Sequence, residues 1–313
     1  MIDQAILKDR ALMFKKARSF FSKKNILEVD TPALSKTAAI DPQIEVLKTV
    51  ALENVNAYLH TSPEYGLKRL LATGSGDIYQ MSHVFRFGEL GPLHNPEFTM
   101  VEWYREKKSY QAFLKEVLNF IFIFLGKLSF SRSSYRQIFL KYTNLDPFTT
   151  SSTDLYQFAT KNKLALSADA TEWDKDTLLN LIMSHFIEKN LGLKELFIVD
   201  EYPASQAALA QIKKVDGFPV AERFEIYYQG IELANGYHEL LDAEEQEKRL
   251  KDANKKRKEL GKNTLPIDQK FIAALKKGIP DCYGVAVGFD RLLMLRHNKK
   301  ELKEVITFSF DET

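Results

Sequence analysis

Three separated groups of polar residues have the types and spacing for chemistry on a charged substrate. The first lies in FRFGELGPLHNPEFTMVEWY, residues 85–104, and holds Arg86, Glu89, His94, Asn95, Glu97, Phe98, Glu102 and Tyr104. In a strand, residues two apart point to one side, so Phe98, Met100, Glu102 and Tyr104 share a face. Two apolar side chains beside a carboxylate and a phenol pack poorly unless Glu102 meets a cation. The other reading is a surface strand with Glu102 turned to water. The second group, in RFEIYYQGIELANGYHEL at 223–240, holds Glu225, Glu232, Asn235, Tyr237 and Glu239. Gln229-Gly230 reads as a hairpin turn, which puts Glu225 and Glu232 on opposite arms, near enough to share a divalent ion. Magnesium commonly takes one or two carboxylates together with substrate phosphates. Two edge-strand carboxylates in solvent give the same pattern. Leu233, Asn235, Tyr237 and Glu239 fall on one strand face, although Asn235-Gly236 is itself a turn signal. The third group is GVAVGFDRLLML at 284–295. A strand of small apolar residues runs into Asp290, read as a helix N-cap, with Arg291 in the first turn. Such a helix start attracts anions, and an ordinary capped core helix reads the same way.

Several elements must position these groups. Residues 5–23 read as an amphipathic helix through Leu7, Phe14, Ala17 and Phe21. A short strand at 26–29 is ended by Pro32. Segments 77–85 and 98–104 alternate as strands do, and 110–190 is mostly helical. Strands return at 195–200 and 223–240. A charged helix follows at about 242–260, then an apolar strand at 283–287 and a helix near Asp290. Strands joined by hairpins, with helices in blocks, predict an α+β domain around a mainly antiparallel sheet. There is no glycine-rich phosphate loop of the Walker or dinucleotide type, so ATP, if used, is held another way.

Composition sets the outer bounds. The chain has 313 residues, 45% hydrophobic and 27% charged, which is enough for one large core or two ordinary ones. A net charge of +2 does not demand a nucleic-acid partner. The basic run KRLKDANKKRKELGK at 248–262 reads as a solvated helix face, since Asp252 and Glu259 are mixed in. A docking surface for an acidic partner is the alternative. Cys282 is the sole cysteine, which excludes an internal disulfide and a cysteine-rich zinc site and fits a reducing compartment. The first ten residues lack the pattern of a secretory signal. The apolar run at 117–125 is too short to span a bilayer. A soluble, cytoplasmic protein is expected.

Taken together, the motifs resemble those of class II aminoacyl-tRNA synthetases. The helix at 5–23 followed by ILEVDTPAL is similar to motif 1, FRFGELGPLHNPEFTMVEWY to motif 2 and GVAVGFDRLLML to motif 3. TSPEYGLKRLL at 61–71, HNPEFTMVEWY and GIELANGYHEL further resemble the lysyl-tRNA synthetase catalytic domain. The resemblance covers nearly the whole chain and implies a class II catalytic domain over 1–313. It implies that Arg86 bridges the amino-acid carboxylate and the α-phosphate, that His94 and Arg291 hold the distal phosphates, and that Phe98 stacks under adenine. Glu89 and Asn95 belong to the same ATP site. Glu225 and Glu232 would bind magnesium. Glu64, beside Ser62, would meet the substrate's α-amino group. Glu102, Tyr104, Asn235 and Glu239 would enclose its side-chain ammonium, with Tyr237 packed beside them. A long cationic substrate does need a carboxylate at each amine and an apolar wall between them. In the family, motif 2 continues Arg-Asn-Glu. Here Phe87 and Gly88 stand in those places, so Glu89 can serve only if the loop bends, which Gly88 permits.

Motif 1 begins almost at the first residue, which leaves no room for an anticodon-binding barrel before it. A synthetase core without one resembles the elongation factor P–lysine ligases, the GenX or PoxA group, which also share the stretches at 203–211 and 231–240. That resemblance implies activation of lysine or (R)-β-lysine with ATP and Mg2+, and transfer to a lysine of elongation factor P. It implies a homodimer through motif 1 and no stable tRNA binding. Ala286 stands where lysyl-tRNA synthetases tend to have glycine, and its methyl would favour a displaced amino group. The alternatives are a truncated lysyl-tRNA synthetase-like enzyme and a non-catalytic relic that binds lysine.

Overall fold

Asp3 starts the first helix by accepting a hydrogen bond from the Ala5 amide at 2.6 Å, and the helix runs Gln4–Ser22. The structure, a computed structural model, describes residues 2–167 and 170–313. Ala168 and Asp169, inside the stretch read as mostly helical, lie outside the described residues. The buried stripe of the first helix is Ile6, Arg10, Met13, Ala17 and Phe21. Leu7 and Phe14 flank it, so the apolar face is centred one residue earlier than the spacing predicts. The chain is α+β with mainly antiparallel strands, as expected. It divides into two compact units, Met1–Lys127 with His238–Thr313, and Leu128–Tyr237.

In the first unit, strand Glu97–Glu106 pairs antiparallel with Ile78–Phe85 on one side and with Cys282–Gly288 on the other. Leu27–Glu28 adds a short parallel edge to Ile78–Phe85. A separate small sheet joins Leu34–Ser35, Val55–Leu59 and Lys48–Leu52. The alternation of Glu97–Glu106 gives each face one task. Thr99, Val101, Trp103 and Arg105 face the helices Gln4–Ser22, Tyr110–Leu125 and Phe289–Arg296. Trp103 is fully buried there among Phe21, Phe113 and Phe120. The opposite face, with Glu102 and Tyr104, lies under the helix Glu64–Leu71. That helix packs on Gln269–Lys277, which packs on Ala243–Glu259.

Asp290 is not a helix cap. The last long helix starts at Phe289 with Gly288 as its N-cap and no side-chain cap. The Asp290 carboxylate points inward, 2% exposed, and accepts from Arg10 at 2.5 Å and from the Thr99 amide at 2.6 Å. The interior arginine captured the carboxylate that the helix amides would otherwise take. Breaking such a buried pair costs about 3–5 kcal/mol.

In the second unit, Phe130–Ser134 runs parallel to Leu196–Pro203, which pairs antiparallel with Phe218–Tyr228. Ile212–Val215 adds to the outer end of Phe218–Tyr228. Residues 130–134 fall in the stretch whose pattern predicts helix, and they form a strand instead. FSRSS carries no apolar alternation, and the pairing with Leu196–Pro203 decides its state. Phe218–Tyr228 turns at Gln229 (φ 52°) and Gly230 (φ 75°) into Ile231–His238, two positive φ values in succession as a type I′ turn requires. Asn235-Gly236, despite its turn signature, runs straight opposite Glu225 and Phe224. A bulge between Ile226 and Tyr227 leaves Leu233 out of the ladder. The core of this unit is built from Tyr135, Ile138, Phe139, Leu178, Ile182, Val199 and Tyr227, all buried. Among the described residues, no helix is long and apolar enough to cross a membrane.

Candidate active site

The first unit gathers three carboxylates and one ammonium around its sheet face. Glu102 and Ala286 stand opposite each other in adjacent strands, as do Tyr104 and Gly284, so these four residues share that face. The Ser62 hydroxyl donates to Glu102 Oε2 at 2.6 Å, and the Tyr104 hydroxyl donates to Oε1 at 2.7 Å. The Glu64 amide in turn donates to Ser62 Oγ at 3.0 Å, which sets the helix start above Glu102. Lys68, one turn along, has no exposed side-chain surface. Its Nζ lies 2.6 Å from Glu64 Oε1 and 2.5 Å from Glu239 Oε2. Gly284 makes room for this arrangement. A Cβ there would overlap Glu239 Oε1 and the Tyr104 ring, with Cδ1 of Tyr104 only 2.7 Å away.

The electrostatics follow from burial and from the charge count. Burial, with Glu64 adding to it, pushes Glu102 up to about 7, against the Ser62 and Tyr104 hydrogen bonds and the charge of Lys68. Burial also raises Glu239, and Lys68 opposes it. Burial alone would neutralise Lys68, but Glu239 and Glu64 outweigh it and hold the ammonium charged. Burial and the three surrounding carboxylates raise the Tyr104 phenol far above its ordinary range, so it remains a donor. Fully ionised, the pocket carries two net negative charges. A substrate with two ammonium groups would neutralise them.

A second cluster in the same unit is cationic. The Arg86 guanidinium lies over the Phe98 ring, 5.1 Å from its centroid, with Glu89 at 3.7 Å from NH1. Arg86 Nε is buried without a hydrogen-bond partner, an N–H available to an anion. The loop does bend as motif 2 needed: Gly88 has φ +76°, where a side chain would be strained, and Glu89 comes back to Arg86. Phe87, which takes the family's asparagine position, is 58% exposed. Arg291, in the first turn of Phe289–Arg296, donates from NH2 to His94 Nε2 at 3.0 Å, so His94 is neutral with its proton on Nδ1. Loss of hydration, then the charge of Arg291, hold the imidazole below the usual histidine value; Glu89 opposes this and Arg86 adds to it. Asn95 donates to the Glu97 carbonyl and accepts from the Phe310 amide, so its amide ties the start of strand Glu97–Glu106 to the segment at Phe310.

The second unit places its own candidates side by side. Glu225 Oε2 accepts from Tyr202 at 2.5 Å and from Tyr227, and Oε1 accepts from Arg223 at 2.5 Å. Glu232 stands opposite Tyr227 and acts electrostatically on its phenol. Asn235 stands opposite Glu225, with its Oδ1 buried and without a hydrogen-bond partner. Tyr237 stands opposite Arg223, whose guanidinium lies 5.9 Å from its ring centroid. Glu225 and half-buried Glu232 offer carboxylate oxygens, the donor type magnesium takes alongside phosphate and water oxygens. Among the described residues no group of three or more His, Cys, Asp and Glu side chains could hold a metal by itself.

Two buried cations, Lys68 and Arg257, stand where sequence pattern alone predicts exposed side chains. Lys68 was visible as a Glu–Lys pair four apart on a helix, and the missing step was that no surface remained for it. Arg257, in the basic run, has no exposed side-chain surface and is not part of a solvated face. Activation of an acid at an α-phosphate relies on positioning and on fixed positive charge, and Arg86 and Arg291 are fixed positive charges in this unit. Residues 3–312 match the model of the class II tRNA synthetases (D, K and N), and the chain belongs to this family of ligases that activate amino acids with ATP.

Proposed function

We propose that the protein activates lysine or (R)-β-lysine with ATP and transfers it to a lysine side chain of elongation factor P. The carrying observation is the pair of buried carboxylates Glu102 and Glu239, with half-buried Glu64 beside them and the buried Lys68 ammonium between Glu64 and Glu239. The substrate carboxylate attacks the α-phosphorus and pyrophosphate leaves. The acceptor amine then attacks the carbonyl carbon of the adenylate, AMP departs with the bonding pair, and the amine loses a proton. Glu64 holds the substrate's amino group near the carboxylate, and Glu102, Tyr104 and Glu239 hold the distal ammonium. Arg86 stabilises charge on the α-phosphate, Arg291 and His94 bind the outer phosphates, and the Phe98 ring underlies the adenine. Glu225 and Glu232 would hold magnesium, which would supply positive charge to a nucleotide's phosphates.

A pocket of buried carboxylates rejects uncharged isosteres, roughly 10⁴-fold, because its own groups would be left unpaired. The small side of the pocket at Ala286 sets the choice between isomers. Ala286→Gly is expected to shift preference toward α-lysine, and an unchanged isomer ratio would remove Ala286 from the account. The protein works as a cytoplasmic homodimer, with 1–313 as one catalytic domain and no stable tRNA complex.

The test is the intact mass of elongation factor P after incubation with the protein, ATP, magnesium and either isomer. A gain of one lysyl unit, lost in Arg291→Ala, is the expected result. Lysine-dependent pyrophosphate exchange with an unmodified factor would move the acceptor to tRNA. No exchange with any amino acid would leave a lysine-binding relic.

A further inference from the structure

The basic run at 248–262 contains one charged side chain that solvent does not reach. Arg257, near the C-terminal end of helix Ala243–Glu259, uses all five of its N–H donors. Nε donates to the Asn263 carbonyl at 2.8 Å. NH1 donates to the carbonyls of Asp41 at 2.9 Å and Ile44 at 2.8 Å. NH2 meets both oxygens of Glu45 at 2.9 Å. Lys262 takes the two carbonyls between, Pro42 at 2.7 Å and Gln43 at 2.9 Å. Residues 41–45 have no helix or strand bonds of their own, so this grip from the helix end fixes their path.

The fifth carbonyl of the segment has a different partner. Glu45 O accepts from the Phe87 amide at 3.0 Å, and the preceding amide, Arg86, donates to Pro96 O at 2.9 Å. Arg86 therefore leaves the sheet between two backbone bonds. One belongs to its own loop, and the other depends on a segment that Arg257 holds.

We propose that Arg257 is a positioning residue for Arg86: by clamping 41–45 it fixes the backbone at Phe87, and so the point from which Arg86 reaches the nucleotide. The proposal rests on the reading of Arg86 as the α-phosphate ligand. Arg257 itself touches no reacting atom. Charge alone is not sufficient at this position, because lysine offers three donors to the five acceptors and cannot reproduce the fork on Glu45.

The experiment compares wild type, Arg257→Lys and Glu45→Gln by amide hydrogen exchange across 86–88 and by ATP–pyrophosphate exchange with lysine. Glu45→Gln keeps every backbone acceptor, and it stands in if Arg257→Lys does not fold. The Phe87 amide is expected to exchange about tenfold faster in both variants. KM for ATP should rise between about tenfold and 10²-fold, as for a misplacement of an ångström, with KM for lysine within about twofold. Unchanged protection at Phe87, or equal rises in both KM values, would overturn the proposal. If wild type forms no lysyl-adenylate, the functional reading fails by itself. Phe87 protection and an equilibrium ATP titration then still decide the role of Arg257.

Discussion

Replacing Lys68 by methionine keeps most of the length of the side chain and removes the ammonium that pairs with Glu64 and Glu239. Simple Coulomb reasoning says that a pocket for a cation should then bind its substrate more tightly. The geometry argues the reverse. Glu239 is 1% exposed, and Lys68 is its ion-pair partner at 2.5 Å. An ionised Glu239 left without that partner would cost about 3–5 kcal/mol. Burial already raises this carboxyl, and Glu64 and Glu102 raise it further, so in the variant it takes up a proton. Protonation relieves the penalty at about 1.4 kcal/mol for each pH unit between its pKa and the buffer. The pocket ends with the same net charge and without the bridge that aimed Glu64 and Glu239. Its folded-state pKa then lies far above the unfolded value, so the folded state binds the extra proton and stability falls as pH rises. Denaturant unfolding of Lys68→Met and wild type at pH 5.5 and pH 8 should show the difference in stability growing toward pH 8. In pyrophosphate exchange, KM for lysine should rise about tenfold or more while KM for ATP holds. A variant as stable as wild type at both pH values, with tighter lysine binding, would refute the reasoning.

Further outcomes follow from the same residues. Glu102 titrates at about 7 in the folded protein, and a bound ammonium favours its ionised form, so KM for lysine should fall as pH rises through 7; Glu102→Gln should flatten that profile. The same raised carboxyl makes the unliganded protein lose stability between pH 4.5 and 7, which thermal melts with and without lysine can check. Gly284→Ala should cost about 1–3 kcal/mol through overpacking against Tyr104 and Glu239, read as a rise in KM for lysine in a folded protein. Arg86→Ala should lower kcat/KM by on the order of 3 kcal/mol, by analogy with a lost oxyanion donor, with little change in unfolding midpoint.

What the sequence revealed depended on how local the cause was. Strand Glu97–Glu106 was legible because a period of two is written into Phe98, Met100, Glu102 and Tyr104, and the hairpin because Gln229-Gly230 tolerates positive φ. The bend at Gly88 followed from a missing side chain. Asp290 was misread because its partner, Arg10, lies 280 residues away, and no local rule can weigh that partner against the helix amides. Arg257 was misread for the same reason: its neighbours Lys256 and Lys258 set the pattern, while its acceptors come from 41–45 and 263. Lys68 sat in a quoted motif, but its burial depends on Glu239, which sequence spacing does not bring near. Strand Phe130–Ser134 has no propensity signal at all and exists because Leu196–Pro203 lies beside it.

The bond from the Thr99 amide to Asp290 spans 191 residues of chain, and this has a consequence during synthesis. At ribosomal rates of about 5–20 residues per second, Asp290 is made roughly 10–40 s after Thr99. Throughout that interval the strand carrying Glu102 and Trp103 has its Ile78–Phe85 neighbour but lacks Cys282–Gly288 on the other side. The nascent chain therefore presents a ten-residue strand, half of it apolar, with an open edge, the kind of surface that pairs with other chains. Its yield in cells should depend on chaperone capacity more steeply than the stability of the finished fold suggests.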